Sequence, residues 1–300
     1  MLVPDRDNLR PPIPVCGNRS TNRASGVARA GEGRSWLLAG SGDVNSAGCL
    51  RTPPQREMPV SRHEPMFNVQ ASVLAVLGLM VAVHLVRMGL SQDWDTWLTL
   101  ALAFIPARYS GFAELLPGGQ IASATSFLTH TLLHGDFVHL GLNAAWLVAF
   151  GGAVANRVGS VRFLLFFAFC AIAGAATFLA FNPGKMVPMV GASGAISGLM
   201  GGTMRFLFTA VDGRGLAALR EDPRSAPLMP LAQALTDKRV VLVTVVFLIA
   251  NILAVLGLGS VGESGIAWEA HIGGYFAGLL SFGFFDAVQT DNSSSTPIAS

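Results

Sequence analysis

Ser193, His271, His139 and Asn143 are the residues of this 300-residue chain whose types and spacing could do chemistry together. Ser193 lies in Gly191-Ala192-Ser193-Gly194, His271 in Ala270-His271-Ile272-Gly273-Gly274, and His139 and Asn143 stand four apart. All three clusters fall in strongly apolar stretches, where a polar side chain is costly and so marks function. A serine within reach of a histidine is a nucleophile with its general base. At a helix N-terminus that serine would also sit among free N–H groups and the positive end of the helix dipole, which favour a developing oxyanion. His139 and Asn143, on one face of a helix, would add side-chain donors to the same site.

Each feature taken singly has a plainer reading. Gly-x-Ser-Gly in a glycine-rich chain serves packing, one intramembrane histidine is commonly a hydrogen-bonded core residue, and His-x-x-x-Asn serves as a polar clamp between helices. His130 and His134 have a spacing that suits a metal, but Thr131 stands where the zinc motif H-E-x-x-H needs glutamate. No metal and no cofactor are expected. Arg220 to Arg224 reads as a solvated face, and Cys170 as core packing.

The elements that must position these groups follow from composition. With 51% hydrophobic and 13% charged residues, against about 25% charged in soluble domains, the chain reads as an all-α, multi-pass membrane protein. Nucleic-acid partners are not expected, and three scattered cysteines exclude a disulfide framework. Residues 1–65, with nine arginines and no apolar period, read as disordered. Met58 is an alternative start, which would leave 1–57 without function. Residues 289–300 read as a polar tail.

Six stretches are long enough to span a bilayer: 69–90, 138–156, 161–182, 192–210, 239–259 and 266–286. Trp97 to Pro106 covers only about 15 Å as a helix and reads as interfacial or re-entrant. Arginine and lysine bias places both termini in the cytoplasm. Counted up from the inner charges at about 1.5 Å per residue, Asn143, Ser193 and His271 lie roughly 18 to 22 Å above that side, in one layer. Gly194, Gly198 and Gly202 repeat every four positions, as do Gly274 and Gly278. These small faces let spans four and six approach closely, which would bring Ser193 to His271.

Three ordered segments resemble the rhomboid family of intramembrane serine proteases. They are His134-Gly135-Asp136-Phe137-Val138-His139-Leu140-Gly141-Leu142-Asn143, Gly191-Ala192-Ser193-Gly194-Ala195 and Ala270-His271-Ile272-Gly273-Gly274. The likeness covers residues 58 to about 288, with the transmembrane domain taken as 66–288. It implies a six-helix bundle and a Ser193–His271 dyad with no acidic third member. It further implies an oxyanion hole of His139, Asn143 and the Ser193 N–H, and single transmembrane segments as substrates. The alternative within the family is an inactive binder or chaperone of such segments. A bacterial inner membrane is the expected location. Two positions depart from the family pattern. Thr125 and Ser126 stand where many bacterial members have Trp-Arg, and Ser197 stands where some stack a tyrosine on the catalytic histidine.

Overall fold

The computed structural model describes residues 69–215, 224–257 and 266–286. Readings made on residues 1–65, on Met58, on Arg220 and on the tail from 289 lie outside the described residues. Eight helices carry the described architecture: α1 Ala71–Met88, α2 Gln92–Leu102, α3 Gly119–Thr129, α4 Phe137–Val158, α5 Ser160–Phe181, α6 Ser193–Arg214, α7 Lys238–Val255 and α8 Trp268–Phe285. By length and hydropathy α1, α4, α5 and α7 could each cross a membrane. α6 and α8 are as long, but their glycines and polar site residues dilute their hydropathy.

Local chemistry sets the helix ends. Asp136 caps α4, its carboxylate accepting from the His139 N–H at 2.7 Å. Asp237 caps α7 by accepting from the N–H groups of Arg239 and Val240. Such caps satisfy amides that have no partner one turn back. Gly159, at φ +82°, makes the turn from α4 to α5 in a conformation that glycine adopts without strain. Within α4, Leu147–Gly151 forms a π-helical turn, and Trp146 stacks on Phe150 at 5.5 Å across it.

α5, α6 and α8 form the inner layer and touch almost backbone to backbone. A Cβ on Gly278 would fall onto the carbonyl oxygen of Gly198, and one on Gly274 onto that of Gly194. Gly202 faces the rings of Phe166 and Phe282, where a Cβ would approach to 2.8 Å. This is the small-residue packing that membrane helices use in place of a hydrophobic driving force. Gly278→Ala should therefore force α6 and α8 apart, since a backbone carbonyl cannot swing aside. Overpacking of this kind costs about 1–3 kcal/mol, read as a lower unfolding temperature in detergent. An unchanged midpoint would show that the two helices separate freely. α1 and α7 lie outside this layer, with few of their residues buried. Leu74, Leu79, Leu85, Leu242, Val246 and Ile252 are exposed on them, a surface suited to lipid.

The apolar run Trp97 to Pro106 is helical only as far as Leu102, within α2, on which Trp94 and Trp97 are exposed. Arg87 joins α2 to α1 through Asp95 at 2.7 Å and also donates to the His134 carbonyl. The chain then turns inward. Phe104 exchanges two backbone hydrogen bonds with Met189, so the segment after α2 is pinned to the segment before α6. Arg108 is buried, its guanidinium donating to the carbonyls of Leu100 and Pro117.

The arginines at the opposite end are more deeply placed than a solvated charge. Arg157 and Asp286 pair at 2.7 Å with both side chains fully buried, and Arg157 also donates to the Ala226 carbonyl. Arg205 donates to the carbonyls of Met229 and Leu279. Arg224 is exposed, as a solvated face requires, and its Nε also donates to the carbonyls of Asn156 and Arg157. Buried carbonyls at helix ends need donors, and arginine has five in a fixed fork. These contacts tie the C-terminal ends of α4 and α8 to the segment 224–230.

Candidate active site

Ser193 is the first residue of α6, and His271 lies one turn into α8. The glycine contacts between these helices fix their separation, and α8 meets α5 as closely: a Cβ on Gly174 would come within 2.8 Å of the Ala270 carbonyl. At that separation the Ser193 Oγ stands 2.7 Å from the His271 Nε2. Intrahelical bonding in α6 begins with the Ile196 N–H donating to the Ala192 carbonyl. The amides of Ser193, Gly194 and Ala195 precede that bond and point out of the helix end, as the first amides of any helix must.

Gly191 makes the approach to α6 at φ +115°, a conformation that side chains strain to adopt. It is also crowded: a Cβ there would come within 2.8 Å of the His139 Nε2 and 3.7 Å of the Ser193 Oγ. The imidazole of His139 thus packs over Gly191, close to the serine. The Gly191 N–H donates to the His130 carbonyl at 2.9 Å, which anchors the turn. His130 itself is buried, its Nδ1 at 2.8 Å from the Ser126 carbonyl.

A cavity of about 630 Å³ opens beside the serine between α4, α6 and α7. Asn143, Trp146, Ser193, Ser197, Asn251 and His271 are among its lining residues, in a mainly apolar wall. The Asn143 amide donates to the His139 carbonyl at 2.9 Å from the cavity wall. His139 packs against Gly191 rather than lining the cavity. The structure thus brings Ser193, His271 and Asn143 to one cavity and His139 to its edge.

Sequence reasoning left open what holds the imidazole of His271, and it passed over the residue that touches it. The Asn251 Oδ1, on α7, is 2.8 Å from the His271 Nδ1. A signal was present: within the apolar body of α7, Asn251 and Thr244 are the polar residues. Thr244 meets the Tyr275 hydroxyl at 2.7 Å, and Phe247 stacks on the Tyr275 ring at 4.7 Å. Ser197 is buried on α6, one turn below the nucleophile position. Thr125 is exposed on α3 and bonds only its own helix, at the Ile121 carbonyl, while Ser126 is buried. Cys170 is buried against Gly198.

A rhomboid-domain profile matches residues 122–286, more than half of the chain and the whole of the site. The chain belongs to the rhomboid family. It is an all-α integral membrane protein, and membership points to intramembrane proteolysis or a related activity. It is similar to the mitochondrial rhomboid protein 1 of Saccharomyces cerevisiae, 31% identical over 133 residues. That alignment covers 43% of this chain and 34% of the yeast protein, so the chain spans about a third of the relative's length.

Proposed function

We propose that this rhomboid is an intramembrane serine endopeptidase that cuts single transmembrane segments entering the cavity between α4, α6 and α7. The observation that carries the reading is the 2.7 Å contact of the Ser193 Oγ with the His271 Nε2 at the wall of that cavity. Six spans, α1 and α4 to α8, with both termini in the cytoplasm, and a domain over 66–288 go with it. The shared side of the α4 and α8 ends with segment 224–230 supports that topology. A bacterial inner membrane is the location proposed.

In this mechanism His271 takes the Ser193 proton as the Oγ attacks the scissile carbonyl. The oxyanion forms next to the free amides at the start of α6, with Asn143 and His139 as further donors. His271 then passes the proton to the leaving amine, and the acyl-enzyme remains on Ser193. Water reaching the ester through the cavity is deprotonated by His271, and the second tetrahedral intermediate collapses to acid and free serine. The family's inactive binders would need none of this geometry.

The test is cleavage of a single-span reporter in proteoliposomes. Wild type should cut, and Ser193→Ala should not. Asn143→Ala removes one oxyanion donor, which typically costs about 10²–10³ in kcat. Its own bond runs to the His139 carbonyl of the same helix, so folding should be retained. Turnover equal to wild type in that variant would take Asn143 out of the mechanism.

A further inference from the structure

We infer that Asn251 is a positioning residue that fixes the tautomer and orientation of His271, completing a Ser193–His271–Asn251 relay across three helices. The inference rests on the endopeptidase reading and adds a third member to its dyad.

The hydrogen bonds determine the proton positions one after another. The Asn251 Nδ2 is 2.8 Å from the Phe247 carbonyl, and a carbonyl can only accept. The amide must therefore present its NH₂ to Phe247 and its Oδ1 to His271. Oδ1 also only accepts, so the His271 Nδ1 at 2.8 Å carries a proton. In neutral imidazole the other nitrogen is then bare. That nitrogen, Nε2, faces the Ser193 Oγ at 2.7 Å and accepts its proton. The anchor is the α7 backbone itself, so the tautomer competent for general-base work is set by helix geometry.

The arrangement suits a buried, uncharged site. Asn251 is 6% exposed, and a neutral amide orients the ring without placing a carboxylate in an apolar wall, where an ionised group is expensive. As His271 becomes imidazolium during attack, the Oδ1 dipole stays aimed at its Nδ1–H. No stacked ring is required, which accounts for a serine at position 197.

Asn251→Leu keeps the bulk and removes the acceptor, while Asn251→Asp keeps an acceptor for the His271 Nδ1–H and gives up only the NH₂ that bonds the Phe247 carbonyl. Both are compared with wild type and Ser193→Ala for kcat and KM on the reporter, and turnover is referred to the folded fraction read from thermal unfolding. A misoriented base costs about 10² in rate. Asn251→Leu should lose about 10²-fold in kcat with KM within about twofold, and Asn251→Asp should recover at least about tenfold over it. The positioning role is overturned by Asn251→Leu turning over within about threefold of wild type. It is equally overturned by both variants losing activity alike through a raised KM. Reporter cleavage that survives Ser193→Ala, or is missing in wild type, removes the endopeptidase reading and this inference with it.

Discussion

Ser193→Ala and His271→Ala are each expected to lower kcat for reporter cleavage by roughly 10⁶-fold, and the double variant by no more than either alone. The non-additivity is the informative part. A nucleophile and base that share one proton across 2.7 Å act as a unit, and removing either atom abolishes the attack. Two residues that merely packed together would show separate and much smaller losses. Neither change should unfold the chain, because the bundle is held by glycine contacts along α5, α6 and α8. The measurement is initial rate against enzyme concentration in proteoliposomes, with unfolding temperature as the control. Cleavage above about one hundredth of wild type in either single variant would remove the dyad from the proposed reaction.

Asp286→Ala is expected to cost about 3–5 kcal/mol of stability while leaving the kcat of the folded fraction unchanged. Both side chains of the pair are fully buried, so removing the carboxylate takes a close negative charge away from a buried guanidinium. Arg157 also lies 4.7 Å over the Phe206 ring and donates to Ala226. The opposite design separates charge from shape. Arg157→Met combined with Asp286→Leu removes both charges, and such replacement is often neutral or stabilising. Denaturation of wild type, single and double variants therefore orders the double nearer to wild type than the single. A single variant as stable as wild type would mean that water reaches the pair.

Most of the helical scaffold was legible because the signal for a span is local. The apolar stretch 138–156 became Phe137–Val158, and 161–182 became Ser160–Phe181. The stretch 192–210 ran on to Arg214. Arg205 falls within that stretch, and its guanidinium is satisfied inside by the Met229 and Leu279 carbonyls. The glycine spacing on spans four and six was also readable, since a small-xxx-small face lies on one helix whatever its partner.

Residue type and order alone determined that this is an all-α membrane chain of the rhomboid kind, and singled out Ser193, His271, His139 and Asn143 as its candidate chemistry. Those properties reside in single helices: hydropathy, period and the cost of a polar group in an apolar run. Tertiary structure decided what belongs to pairs. It set the distance from Ser193 to His271, buried Arg157 with Asp286, pinned Phe104 to Met189 and delivered Asn251 to the far side of the imidazole. Asn251 is twenty positions from His271 on another helix, and no periodicity links them. Their meeting depends on where α7 docks against α8, a fact of packing that no stretch of the chain contains by itself.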